Sequence, residues 1–247
     1  MSMRSPKWPV PSADISRAGS TPRRAPHSRA FLFCSRPSQP ESAKIAVMDE
    51  QQLHDNIAKL LQRLRLEVQK CQRISEDIQL LAVSKTQPAE AIRSACQCGL
   101  RQFGESYVQE ALAKMAQLQD LPLCWHFIGP IQSNKARAIA EHFDWVHSVD
   151  RARVARRLSQ YRPADKAPLQ VCLQVNISGE SSKAGVALEA LPQLVREVLP
   201  LPGLQLRGLM AIPAPSTDPA TQRAAFAQVR TALQQLRALA PQLDTLS

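Results

Sequence analysis

From residue 48 onward the chain alternates short apolar runs with stretches of helical periodicity, and no other feature limits its folding as strongly. Leu53, Ile57, Leu60, Leu61, Leu64 and Val68 recur at helical spacing and predict an amphipathic helix. Ile78–Val83 is an apolar run of strand length. Pro88 suits the first turn of a helix reaching about Cys98, with Gly99 as its stop. Further strands are predicted over 101–103, 123–128, 145–148, 169–177, 204–212 and 244–247. Helices are predicted over 107–118, 135–142, 151–161, 188–199 and 221–239. Strands alternating with helices of this length imply parallel β/α units, in a barrel or a doubly wound sheet. No G-x-G-x-x-G follows the first predicted strand, which counts against a dinucleotide-binding sheet. The number of units favours a barrel. The expected fold class is therefore α/β, a (β/α)8 barrel of the TIM type that is incomplete, lacking the last part of its seventh unit and its eighth strand. Such a sheet is expected to stay open, with unpaired edges on its first and seventh strands.

Residues 1–47 read differently. They hold seven prolines, many serines and arginines, and no amphipathic period. A segment of this kind buries too little apolar surface to offset its ordering entropy. The expected organisation is a disordered N-terminal extension over 1–47 and a folded domain over 48–247, with Met48 as the expected true start. A transit peptide is the weaker reading, because no amphipathic arginine-rich helix is visible. The extension also carries eight basic and two acidic residues, so +6 of the net charge of +10 resides there and only +4 on the rest. The body is mildly basic, and no nucleic-acid partner is expected. No apolar stretch approaches the roughly 20 residues needed to span a bilayer, so no membrane partner is expected either. The six cysteines match no zinc-ligand spacing, and no pair of histidines stands at ligand spacing, so no metal site is expected. Reduced thiols fit a cytoplasmic location.

The run Leu80-Leu81-Ala82-Val83-Ser84-Lys85-Thr86 delivers a lysine at the carboxyl end of the first predicted strand. In parallel barrels that end carries the chemistry. A lysine held against an apolar strand is partly desolvated, which disfavours its ammonium form. The free amine is the nucleophile that condenses with an aldehyde. A solvated lysine closing a strand fits the same spacing, and the pattern alone leaves both readings open.

Five blocks in register give this lysine a context. Leu80–Lys85 with Thr86 and Pro88 resembles the A-V-S-K-T-x-P block of the YggS/PROSC family of pyridoxal phosphate (PLP) homeostasis proteins. Phe103-Gly104-Glu105-Ser106-Tyr107-Val108-Gln109-Glu110 resembles F-G-E-N-Y-x-Q-E. Trp125–Lys135 resembles W-H-F-I-G-x-L-Q-x-N-K. Val175-Asn176-Ile177 with Lys183 and Gly185 resembles V-N-x-x-x-E-x-x-K-x-G, and Arg207–Ile212 resembles R-G-L-M-A-I. Together they span about residues 50–247. The resemblance implies a barrel related to the alanine racemase N-terminal domain. It further implies PLP carried as a Schiff base on Lys85, a role in intracellular PLP homeostasis, and no robust catalysis. Expected partners are PLP and apo PLP enzymes, and a monomer is expected. A PLP-dependent racemase- or decarboxylase-like enzyme is the alternative; such enzymes usually add a second, β-rich domain.

The other candidate residues each have a bland reading beside the functional one. Asn176 either orders its loop or faces the cofactor ring. Met210 is a core residue or lies against the pyridine face. His126 is a structural histidine or a cofactor contact, and Lys183 a solvated loop residue or a second lysine used during PLP release. After Gly129-Pro130, either Ser133 or Asn134 caps the helix over 135–142 or Gln132, Asn134 and Lys135 have a cofactor role. The chain departs from the family pattern at Gln87, where many members have a second lysine, and at Ser106, where asparagine is usual. It also ends at Ser247, before the family's M-G-M-S-x-D and R-x-G segments. Only Ser247 is left as a candidate phosphate contact, so weak PLP binding is expected, and a non-functional fragment lacking the phosphate site is a further alternative.

Overall fold

The computed structural model describes residues 49–73, 78–179 and 184–247, together with the backbone of Arg29–Cys34. The apolar runs form parallel strands: β2 (Ile78–Val83), β3 (Gln102–Glu105), β4 (Cys124–Phe127), β5 (Trp145–Val149), β6 (Leu169–Val175), β7 (Leu204–Ala211) and β8 (Thr245–Leu246). The periodic stretches form α1 (Glu50–Lys70), α2 (Ala89–Gln97), α3 (Val108–Gln117), α4 (Ala136–His142), α5 (Ala152–Tyr161), α6 (Leu191–Val198) and α7 (Pro219–Leu236).

Local chemistry sets the helix ends. α2 stops at Gly99, whose φ of +91° suits a residue without a Cβ. α7 begins two residues earlier than the periodicity predicts. Asp218 accepts hydrogen bonds from the N–H groups of Ala220 and Thr221, and Pro219 supplies a preset first turn. The predicted helix over 188–199 opens as a short 3-10 turn, Leu188–Ala190, before α6. The expected cap on α4 differs: Lys135 stands at its N-cap with no side-chain cap hydrogen bond, so neither Ser133 nor Asn134 has that role.

Two apolar layers hold the barrel. Outside the sheet, Phe103, Phe127, Val146, Val171, Leu173 and Leu209 pack in one core with helix residues such as Ile92, Ile139, Leu158, Val195 and Leu233. Inside, Leu81, Trp145, Cys172 and Met210 form a second cluster. Burial on both faces explains why these strands read as near-continuous apolar runs.

The seven expected strands are present as β2–β8, but the sheet does not stay open. Arg29–Cys34 is a strand, β1, lying parallel between β2 and β8 and closing the barrel. It pairs with β2 from Ala30↔Ile78 to Cys34↔Ala82, and with β8 through Arg29↔Thr245 and Ala30↔Leu246. The expectation of a structureless segment before Met48 is corrected at these six residues; 1–28 and 35–48 lie outside the described residues. The physical reason is the edge itself, since a row of unpaired N–H and C=O groups on β2 is satisfied by any apolar strand long enough to lie against it. On the far side, β7 and β8 approach so closely that a Cβ on Gly208 would lie 1.8 Å from the carbonyl oxygen of Thr245, which makes glycine obligatory there.

If β1 closes the sheet, Leu32→Pro removes a ladder donor opposite Leu80 and should lower the Tm by roughly 5–10 °C. Deletion of residues 1–47 should do at least as much and promote aggregation. Thermal melts that leave both variants at the parent Tm would show that β1 contributes nothing to the barrel.

Candidate functional site

The carboxyl end of β2 runs into a tight turn. The Ser84 N–H donates to Gly104 O at 3.0 Å, carrying the β2–β3 ladder one residue further, and the Gln87 N–H donates back to Ser84 O at 3.0 Å. Lys85 and Thr86 form the corners of this turn. Thr86 has φ +63°, a left-handed conformation that costs a β-branched residue about 1–2 kcal/mol.

An ionic network, buried at Lys114 and Glu105 and part-exposed at Glu110, opposes that cost. Glu110 Oε1 accepts the Thr86 N–H at 2.5 Å. The Lys114 ammonium donates to Glu110 Oε1 at 2.6 Å, to Glu105 Oε1 at 2.7 Å and to Ser84 O at 2.7 Å, so its three protons are all used. The Ser84 hydroxyl donates to Glu105 Oε1 at 2.7 Å. The Lys114 side chain is 7% exposed and that of Glu105 0%. Burial raises the Glu105 pKa, and the hydrogen bonds from Lys114 and Ser84 oppose that shift. Glu105 Oε2 is buried with no hydrogen-bond partner among the described residues. A hydrogen bond to a charged group contributes about 1.5–3 kcal/mol when buried and less at this part-exposed carboxylate, of the same order as the strain at Thr86.

Lys85 is exposed, which corrects the expectation of a desolvated lysine. The strand ends at Val83, so the lysine lies past the ladder, at a turn corner on the barrel mouth, rather than against the apolar face. Around the same rim the loops pack closely. The Ser148 hydroxyl donates to Gly129 O at 2.5 Å, and a Cβ on Gly129 would lie 2.3 Å from Ser106 O. Asn176 follows β6, half-buried, and its N–H donates to Val186 O at 3.0 Å. With Gln174, Val175, Ala184 and Ile212 it lines a cleft of about 170 Å³. Lys183 lies outside the described residues.

The remaining predicted site residues sit deeper. Met210 is buried inside the barrel beside Leu81 and Trp145. His126 is also interior, and its hydrogen bonds favour the structural reading. Its Nε2–H donates to Gln102 Oε1 at 2.6 Å, and its Nδ1 accepts from His147 Nε2–H at 2.8 Å. His147 Nδ1 in turn accepts from the Ser247 hydroxyl at 2.7 Å. Ser247 is thereby turned inward, and its N–H donates to Leu209 O at 2.9 Å. One Gln102 oxygen thus fixes both imidazole tautomers in the neutral form. Burial depresses both histidines, His147 to about 3 and His126 well below its ordinary value, where the neighbouring His147 adds to the effect.

Sequence reasoning did not find Lys114 or Glu110 as site residues. The signal was Lys114 itself, a charge one turn from Ala111 and Leu118 on the buried face of α3.

A pH dependence follows from the buried histidines. Unfolding lets both take up protons below their ordinary value of 6.5, while the folded state keeps them neutral far lower. The unfolded state therefore binds more protons, and stability is full above about pH 7 and falls as the pH drops. Between pH 6.5 and 5 the two histidines together should cost roughly 3 kcal/mol. Urea melts at both pH values measure this directly; a His126→Gln, His147→Gln double variant should show a markedly smaller difference, and an equal one would contradict the assignment.

Residues 60–247 match a family model described as the alanine racemase N-terminal domain. The chain is 60% identical over 193 residues to the pyridoxal phosphate homeostasis protein of Pseudomonas aeruginosa, covering 78% of this chain and 83% of the relative. It is 49% identical over 195 residues to the protein of the same name from Escherichia coli K12, with the same two coverages. Among solved structures, PipY of Synechococcus elongatus with PLP bound superimposes with a TM-score of 0.67 at 40% identity, covering 79% of this chain and 87% of PipY. Alanine racemase from E. faecalis superimposes with a TM-score of 0.56 at 20% identity, covering 75% of this chain and 49% of the racemase, which relates the barrel fold alone.

Proposed function

The chain belongs to the YggS/PROSC family of pyridoxal phosphate homeostasis proteins, and we propose that it binds PLP at the barrel mouth, with Lys85 as the point of covalent attachment. The observation that carries this reading is the placement of Lys85. It is an exposed primary amine at the carboxyl end of a barrel strand, on a turn whose backbone is fixed by buried charges. The donor set fits PLP on its aldehyde side. When bound, PLP supplies an aldehyde carbon that an uncharged amine attacks, with a C=N bond formed and water released. Asn176 offers a polar contact, and the exposed Ile212 an apolar wall for a flat ring. Among the other candidates, Met210 and Ser247 would approach the cofactor only from the barrel interior, where Met210 is buried and the Ser247 hydroxyl is held by His147, and Lys183 would be a second lysine. His126 orients His147 and is assigned no contact.

The role we propose is that of a PLP carrier serving apo PLP enzymes, as a cytoplasmic monomer without robust turnover of its own. The relatives' name supports a homeostatic rather than catalytic role, and the shared racemase fold keeps an enzymatic reading in view. Among the described residues, no helix is long and apolar enough to cross a membrane.

Borohydride reduction of the PLP-saturated protein, followed by peptide mass mapping, tests the attachment point. The pyridoxyl mass should fall on Lys85 and vanish in Lys85→Ala; a label that persists in that variant, on any other lysine, contradicts the proposal. The same PLP-saturated protein should racemise alanine no faster than PLP alone, and turnover that depends on Lys85 would favour the enzymatic reading.

A further inference from the structure

We infer that Glu110, anchored by Lys114, is a positioning residue for Lys85, acting through the left-handed Thr86 rather than by touching the ligand; this rests on the proposed role of Lys85. The geometry leaves little choice of mechanism. The backbone on both sides of Lys85 is gripped by one network, because Ser84 O accepts from Lys114 and the Thr86 N–H donates to Glu110. Lys85 itself is exposed. Its direction is therefore set by its backbone. Thr86 is one of two non-glycine residues with positive φ among the described residues, and the other, Gln72, follows the end of α1. A strained residue directly after the functional lysine, held by a carboxylate, marks a site where the fold fixes a conformation that the sequence alone disfavours.

The network has a directional logic. Glu110 comes from the first turn of α3 and Lys114 from one turn later, so the helix presents both on one face. Glu105, from the end of β3, completes the cage around the ammonium. Lys114 thus ties β2, β3 and α3 to one point, and Glu110 passes that rigidity to Thr86. Without the carboxylate, Thr86 relaxes toward negative φ, the turn reorients, and Lys85 samples directions away from the mouth. Glycine at position 86 takes a positive φ without steric cost and needs the clamp less.

The test is a double-mutant cycle on the full chain, read by spectroscopic titration with PLP. Glu110→Ala should raise the apparent PLP Kd about tenfold, within the range of couplings in one network. In the Thr86→Gly background the same substitution should change Kd by no more than about threefold. Hydrogen exchange at the Thr86 amide should accelerate in Glu110→Ala. A Kd equal to the parent's, with only a lowered Tm, would show that the network is merely structural and overturn the inference. An equal loss in both backgrounds would overturn it as well. Should Glu110→Ala fail to fold, Glu110→Gln replaces it in the same cycle: the amide oxygen still accepts the Thr86 N–H, but the ion pair to Lys114 is lost. An intermediate Kd rise, again reduced in the Thr86→Gly background, supports the inference, and an unchanged one opposes it. Lys85→Ala runs alongside: covalent PLP absorbance that persists there removes the Lys85 reading itself, whereas its loss there leaves the cycle to judge Glu110 alone.

Discussion

The Lys114 ammonium is the contact on which the mouth of this barrel depends. It is buried, donates all three protons, and joins the ends of two strands to the first turns of a helix. Removing one partner of such a cluster costs about 3–5 kcal/mol, because the remaining charges stay buried and uncompensated. A surface pair such as Arg137–Glu141 carries no comparable penalty. The difference lies in burial, and burial is what lets one side chain hold the Ser84–Thr86 backbone in place.

A second constraint works lower in the barrel. The interior carries polar groups, and four of them are joined by three hydrogen bonds in a line from Gln102 through His126 and His147 to Ser247. Trp145 stacks on both imidazoles, with ring centroids 5.6 and 5.7 Å away. At the amino end, Arg207 forms an ion pair with Asp244 and lies over the Trp145 ring. The barrel interior is therefore a hydrogen-bonded stack that fixes strand register, while Lys85 stands at the mouth in contact with solvent. The histidines are neutral and engaged with one another, which separates them from the chemistry proposed at the rim.

Much of this was legible in the sequence, because parallel barrel strands advertise themselves. Ile78–Val83 and the run from Leu169 match their strands within a residue or two, since burial on both faces demands apolar runs. The position of Lys85 at a strand end was legible for the same reason. Its exposure was not, because the sequence does not show that the ladder stops at Val83 and that Thr86 turns the chain. β1 escaped notice since Ala30–Cys34, although apolar, is short and lies among prolines and serines, and its partners are 48 and more than 200 residues away in the chain. The cage around Lys114 was hidden by a general habit of lysine: most are solvated, and only three-dimensional packing shows that this one is enclosed.

A crystal structure of the full chain grown with PLP decides whether Lys85 carries the cofactor in a direction set by its neighbours' backbone. Continuous electron density is expected from Lys85 Nζ to the cofactor, with Thr86 at positive φ and its N–H on Glu110. Density joined to a different lysine, or Thr86 relaxed to negative φ beneath a well-ordered cofactor, would contradict this assignment.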